Sequence, residues 1–187
     1  MKRYYYTAIS AIIIQVVIVF SVLNALAAQP AVEVGSPKYR ITAVHDGDTV
    51  SIRAKSFAGI PLKIERVRLI GIDAPELKQE QWGRKAKRYL KKLISESDWV
   101  VTVELDVEQR DKYGRMLAYL WSRDGRLINE KMLEAGYATL FTFPPNVKYA
   151  DRFTEAQKRA QLRKAAIWKE GGLKESPYNW REKHPRK

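Results

Sequence analysis

The sequence predicts an α+β fold, a small β-barrel with helices packed on its outside. Short runs rich in branched apolar residues, separated by turn signals, fill the first half of the 187-residue chain. Three longer runs have the apolar spacing of amphipathic helices. The expected order is three strands, a helix, two strands and two helices. Because strands and helices do not alternate one by one, a parallel βαβ sheet is not favoured.

The predicted strands alternate apolar and polar residues or are rich in β-branched residues. Asp46-Gly47 is a turn signal between the first two, as in a hairpin. The third stops at Asp73-Ala74-Pro75, since proline cannot continue a central ladder. The predicted strands are residues 39–44, 49–53, 63–72, 99–106 and 116–121.

The predicted helices repeat apolar residues every three or four positions. In the first, Trp82, Ala86, Leu90 and Leu93 share one face, and lysine and arginine occupy the other. Gly136 follows the second helix as a C-terminal cap. The predicted helices are residues 80–95, 127–135 and 151–167.

The N-terminal residues have the pattern of a secretory signal peptide. Lys2 and Arg3 precede an apolar stretch over residues 8–26, which ends in small residues. We predict a signal peptide over residues 1–27, with cleavage after Ala27 or Ala28, and hence a periplasmic or extracellular protein. The alternative is an uncleaved membrane anchor, because residues 8–26 are just long enough to span a bilayer.

After the signal we expect a linker over residues 28–38, one folded domain over residues 39–170 and a tail over residues 171–187. The formal net charge is +13, and removing Lys2 and Arg3 with the signal would leave +11. This excess favours a polyanionic partner, a nucleic acid or an anionic membrane surface. We expect a monomer, and no protein partner is implied.

Composition excludes several kinds of site. The chain has no cysteine, which rules out disulfides, thiolate metal sites and cysteine nucleophiles. His45 and His184 are its only histidines, too few for a zinc site or a histidine triad. No glycine-rich phosphate loop is present.

The remaining polar groups suit phosphodiester chemistry. Asp48 and Asp73 lie at strand ends, where carboxylates that meet in space can hold a hard cation such as Ca²⁺. Taken alone, each motif is better explained by Asp46 and Asp73 as ordinary turn residues that bond their own backbone. Arg68 lies inside an apolar run and needs a partner there, with Glu65 or Asp73 as the candidates for an ion pair.

Other residues could complete such a site. Arg115 follows a glycine turn and could bind phosphate through its guanidinium fork, or be a solvated surface residue. Glu76 follows Pro75 and could position or deprotonate water, or be a surface carboxylate. Tyr113, Phe141 and Phe143 could stack on bases if exposed, and would otherwise belong to the core.

In this order, these residues resemble the staphylococcal (micrococcal) nuclease family. The resemblance extends from about Ile41 to Trp168. It rests on residues 44–50, 67–76 and 111–119, and on Ile128-Asn129-Glu130. It implies an OB-fold, a five-stranded barrel with three helices. The implied activity is calcium-dependent cleavage of DNA and RNA to 3′-phosphate and 5′-hydroxyl ends.

The resemblance also implies roles for single residues. Asp48, Asp73 and the backbone carbonyl of Ala74 would be Ca²⁺ ligands. Asp46 would be a supporting acidic neighbour. The remaining roles are phosphate contacts for Arg68 and Arg115, activation of water for Glu76, and nucleotide contacts for Tyr113, Phe141 and Phe143.

Ala74 stands where threonine is found in the family's best-known member, a change that keeps the carbonyl. Single-stranded or denatured nucleic acid is the expected substrate. The alternative function is a non-catalytic OB-type module that binds nucleic acid. The tail around Ser176-Pro177 also resembles secreted bacterial members, but the sequence suggests no mechanism for it.

Overall fold

A computed structural model describes residues 38–54 and 64–185 of the chain. The predicted signal peptide and most of the predicted linker lie outside the described residues. In the described part of the chain, no helix is both long enough and apolar enough to cross a membrane.

Five of the strands close into a barrel, which confirms the predicted fold class. In chain order they are β1 (Lys38–Val44), β2 (Thr49–Ala54), β3 (Ile64–Leu69), β5 (Val100–Glu104) and β6 (Met116–Ser122). Around the barrel the order is β1-β2-β3-β6-β5, and β1 pairs with β5 to close it. All pairs are antiparallel except β3 with β6. The barrel interior is apolar, and its fully buried residues include Val50, Val67 and Leu120.

Two short strands lie outside the barrel. β4 (Gly71–Asp73) pairs with β7 (Thr139–Phe141) as a separate antiparallel sheet. The single strand predicted over residues 63–72 is therefore divided at Ile70. Gly71 has a φ of +78°, and a Cβ there would lie 2.4 Å from the ring of Phe153. This glycine allows the chain to turn away from the barrel before the Asp73 segment.

The described part of the chain has four α-helices: α1 (Trp82–Glu96), α2 (Ile128–Glu134), α3 (Ala150–Leu162) and α4 (Pro177–Lys183). The first three match the prediction, although α3 ends five residues before the predicted Ile167. Lys164 and Ala166 both have positive φ, and a short 3₁₀ helix, Ala166–Trp168, follows. The tail of the sequence contributes α4, which the sequence pattern did not predict.

One buried side chain links the barrel to the β4 turn. The amide of Asn129 donates to the carbonyl of Ile70 at 2.9 Å, and its oxygen accepts from the backbone N–H of Leu120 at 3.0 Å. Asn129 is fully buried. It satisfies backbone groups that the division of the strand leaves outside regular pairing.

Candidate active site

Strand register brings Asp48 beside Arg68. β2 starts at Thr49, which is paired with Arg68 on β3. The backbone N–H of Leu69 donates to the carbonyl of Asp48 at 2.9 Å, so the ladder extends one residue past the strand. Asp48 therefore lies at the end of the barrel from which β3 leaves towards β4, and it is buried.

Asp73 reaches the same place from the other side. It ends β4 and is 1% exposed. The next residue, Ala74, donates its backbone N–H to Oδ2 of Asp48 at 2.7 Å. A Cβ on Gly47 would lie 2.5 Å from the Cβ of Ala74, so the Asp46–Asp48 turn and the segment after β4 touch directly. This contact brings together two acidic motifs that are separated along the chain.

Arg68 bridges the two carboxylates. Its Nη1 lies 3.2 Å from Oδ2 of Asp48, and its Nη2 lies 3.1 Å from Oδ1 of Asp73. The side chain is only 13% exposed. Of the two ion-pair candidates, the structure selects Asp73, whereas Glu65 pairs with Arg110 at 2.7 Å. One guanidinium therefore contacts both aspartates at the same end of the barrel.

Burial governs the acid strength of this cluster. Burial raises the pKa of Asp73, and the guanidinium groups of Arg181 and Arg68 oppose that shift. Asp46 is partly buried, and burial together with the charge of Asp48 raises its pKa to about 6. Carboxylates packed this closely favour positive charge between them.

The donor set fits a hard cation. Two buried carboxylates and a backbone carbonyl at Ala74 are the oxygen ligands that Ca²⁺ prefers. Within residues 38–54 and 64–185 there is no group of three or more His, Cys, Asp or Glu side chains arranged as a metal site. A cation here would therefore need Ala74 or water in addition to Asp48 and Asp73.

Glu76 stands at the rim of the cluster. Its side chain is 17% exposed, and Oε1 lies 3.3 Å from Nη1 of Arg181. Its backbone is held by Gln79, whose side-chain oxygen accepts from the N–H of Glu76 at 3.2 Å. The carboxylate thus reaches the cluster from a fixed turn and is also open to solvent, as a residue that handles water must be.

Arg115 is oriented by Asp111 in the β5–β6 loop. The Nε of Arg115 donates to Oδ2 of Asp111 at 2.7 Å. Oδ1 of Asp111 accepts from the backbone N–H groups of Tyr113 and Arg115 at 2.9 and 3.0 Å. With Nε engaged, the terminal nitrogens of Arg115 keep donors for a ligand. The sequence motif contained Asp111, but this orienting role was not foreseen.

The three candidate stacking residues are surface rings. Tyr113 and Phe143 are each 73% exposed and Phe141 is 39% exposed, so a core role is excluded. The Phe141 and Phe143 rings lie 6.3 Å apart between centroids at 24°, and the ring of Tyr178 continues this row at 6.2 Å from Phe141. Phe141 belongs to β7, which pairs with the strand that carries Asp73.

Sequence reasoning missed Arg181. This residue of α4 bonds both oxygens of Asp73 from a position 108 residues away along the chain. No local pattern predicts so distant a contact. The one available signal was the resemblance of residues 176–181 to the tail of secreted bacterial members, for which the sequence suggested no mechanism.

Comparison with known proteins agrees with this geometry. Residues 66–170 match the family model described as "Staphylococcal nuclease homologue". The chain is 35% identical to the thermonuclease of Staphylococcus intermedius over 82% of the chain and 90% of that protein. It is 33% identical to the thermonuclease of Staphylococcus hyicus over 70% of the chain and 75% of that protein.

A third relative is the endonuclease YncB of Bacillus subtilis, 32% identical over 68% of the chain and 59% of that protein. The family match extends over β3 to β7, and so includes Arg68, Asp73, Glu76 and Arg115. Each of the two thermonuclease matches covers more than half of the chain, and so does the family model. This protein therefore belongs to the staphylococcal nuclease family.

Proposed function

We propose that this nuclease hydrolyses phosphodiester bonds of DNA and RNA with the help of calcium, and leaves 3′-phosphate and 5′-hydroxyl ends. One observation carries the proposal. Asp48 and Asp73, from separate turns, meet on the single guanidinium of Arg68. Two buried carboxylates and an arginine at one end of the barrel suit a divalent cation and a phosphate together.

Asp48, Asp73 and the carbonyl of Ala74 would hold the cation. When bound, Ca²⁺ would add positive charge beside the phosphate and favour the extra negative charge that develops during attack. The buried position of both aspartates lowers the local dielectric and strengthens this interaction.

The protein's own residues supply the rest of the chemistry. Glu76 would orient the attacking water and accept its proton. Arg115, held at Nε by Asp111, would donate its terminal N–H groups to the phosphate oxygens. Arg68 would contribute a second cationic donor from the barrel wall. The water oxygen would bond to phosphorus as the bond from phosphorus to the 5′-oxygen of the next nucleotide breaks. That oxygen would take up a proton from solvent and leave as the 5′-hydroxyl.

Substrate binding would use the exposed rings and the net positive charge. Phe141, Phe143 and Tyr113 offer faces for unstacked bases, which favours single-stranded or denatured nucleic acid. Because basic side chains would contact the phosphates of the nucleic acid, binding of nucleic acid should weaken steeply as the salt concentration rises.

The signal-peptide pattern at residues 1–27 supports a further proposal, that the enzyme acts outside the cytoplasm. Sequencing the N-terminus of protein recovered from culture medium or periplasm tests it. A new N-terminus at Ala28 or Gln29 is expected, and recovery of the uncleaved chain in membranes would favour an anchor.

The central test is digestion of denatured DNA and of RNA with CaCl₂ and with excess chelator. We expect hydrolysis with calcium only, and products that a polynucleotide kinase can label at the 5′ end without prior phosphatase treatment. Undiminished hydrolysis in chelator would contradict the calcium assignment. Salt-sensitive binding without cleavage would instead support a non-catalytic binding module.

A further inference from the structure

The C-terminal helix α4 places a third arginine on the candidate active site. Nη1 and Nη2 of Arg181 donate to Oδ1 and Oδ2 of Asp73 at 2.9 and 2.8 Å. Nη1 also lies 3.3 Å from Oε1 of Glu76. This is the two-pronged geometry in which arginine binds a carboxylate most strongly.

The hydrogen bonds leave little room on Asp73 for another ligand. Each carboxylate oxygen has two lone pairs. Oδ1 accepts from Nη1 of Arg181 and from Nη2 of Arg68, which lies at 3.1 Å, and Oδ2 accepts from Nη2 of Arg181. A cation that binds Oδ1 must therefore displace one of the two arginines.

The balance of charges also indicates that Arg181 opposes a cation at Asp73. Asp48, Asp73 and Glu76 carry three formal negative charges, and Arg68 and Arg181 offset two of them. With Arg181 removed, the group would be doubly negative and would match a divalent cation. With Arg181 in contact, the cation meets a weaker field and a neighbouring positive charge.

Apart from the ion pairs of Arg181, helix α4 makes few buried contacts. Of its seven residues, Pro177 is the one that is buried. The side chain of Gln79 donates to the carbonyl of Glu175 at 2.9 Å just before the helix, and the ring of Tyr178 lies against Phe141. An element with so little buried surface belongs to the part of a fold that opens most easily.

We propose that Arg181 competes with the calcium ion for Asp73 and Glu76, so that α4 acts as a built-in regulator of cation binding. The competition raises the free calcium concentration at which the site fills. When the cation binds, the guanidinium of Arg181 leaves Asp73. The inference rests on the proposed function in one respect, the assignment of calcium to Asp48 and Asp73.

Calcium affinity, measured by calorimetric titration of the protein with CaCl₂, tests the competition without relying on activity. We expect Arg181→Ala to bind calcium roughly tenfold more tightly or better, because a repelling charge is lost. Arg181→Lys keeps the charge without the fork and should lie in between. Lys183→Ala is the matched control. It removes a positive charge from the same helix, and its partner is Glu175 at 2.6 Å.

The outcomes distinguish failure of the proposed competition by Arg181 from failure of the calcium assignment to Asp48 and Asp73. Tighter binding by Arg181→Ala, with Lys183→Ala like wild type, supports the competition. If wild type binds calcium and Arg181→Ala binds it equally or more weakly, the competition is overturned, but the calcium site at Asp48 and Asp73 is retained. Failure of wild type and all variants to bind calcium overturns the calcium assignment itself. Arg181→Lys, checked by thermal melting in chelator, keeps the test decisive if the alanine variant does not fold.

Discussion

Asp111 and Arg115 form one unit, in which the Nε of Arg115 donates to Oδ2 of Asp111 at 2.7 Å while Oδ1 anchors the backbone of the same loop. Two oxygens of one carboxylate thus shape the turn and aim the arginine. Gly114, at a φ of +78°, lets the chain turn tightly enough for this four-residue spacing.

We predict that Asp111→Asn lowers kcat by about tenfold to a hundredfold. The amide oxygen can still accept from the two backbone N–H groups, but the amide nitrogen cannot accept from Nε. The kcat and KM of the single and double variants, measured on denatured DNA, check this. A positioning role predicts that Asp111→Asn adds little in an Arg115→Ala background. If the double variant loses kcat by the full product of the two single decreases, Asp111 does not act by positioning Arg115.

Phe143 is predicted to bind bases through its exposed ring. Phe143→Leu should weaken binding of a single-stranded oligonucleotide by about 1–3 kcal/mol, the usual value of one base-stacking contact. Fluorescence anisotropy with calcium measures the effect, in a Glu76→Gln background that slows cleavage and at times too short for the oligonucleotide to be cut. Leu162→Ala, at an apolar site that is 76% exposed on α3, is the control. Equal affinities for the Phe143 and control variants would remove Phe143 from the binding surface.

Asp46 makes stability depend on pH. Because burial and the neighbouring Asp48 raise its pKa to about 6, the folded protein keeps a proton that the unfolded chain releases near pH 4. This contribution to stability is complete below about pH 4 and is lost as pH rises through about 6. Asp46→Asn keeps an oxygen acceptor for the N–H of Asp48, which lies 3.1 Å from Oδ1.

Asp46→Asn should therefore become more stable than wild type as pH rises from 4 to 7. Its free energy of unfolding should exceed that of wild type by up to about 3 kcal/mol. Urea titrations in chelator at several pH values give the difference directly. A difference that stays constant over this range would show that Asp46 titrates normally in the folded protein.

Asn129 is predicted to be structural. Asn129→Ala leaves the backbone groups of Leu120 and Ile70 buried without their partner and should cost about 1–3 kcal/mol for each orphaned group. Thermal or urea unfolding measures the loss. Asn179→Ala, on the surface helix α4, is a suitable control. If Asn129→Ala loses no more stability than Asn179→Ala, then water or a shift of the backbone satisfies the groups that the Asn129 amide bonds.

Much of the barrel could be predicted because its strands are marked locally. The Asp46-Gly47 turn and the alternation in β5 are properties of adjacent residues. The division of the third strand could not be predicted, because it depends on Gly71 meeting Phe153, which belongs to a helix far along the chain. Helix α4 was missed for a similar reason, since it has little apolar periodicity and a single buried residue.

The same limit applies to the site. Asp48, Arg68 and Asp73 could be chosen because carboxylates and an arginine in apolar or turn positions need an explanation in any fold. The sequence does not decide between Glu65 and Asp73 as the partner of Arg68, because Asp73 meets Arg68 only after the chain turns at Gly71 into β4. Arg181 lies in the tail segment that resembles secreted members, but the sequence does not indicate its contact with Asp73, which arises from the packing of the tail.

The decisive measurement is hydrolysis of denatured DNA in saturating calcium by wild type, Glu76→Gln and Arg115→Ala. We expect each substitution to lower kcat by about a hundredfold or more, because one removes the proton acceptor and the other a phosphate contact. Unfolding temperatures should stay near that of wild type. Wild-type kcat in both variants would contradict the assignment of hydrolysis to this site.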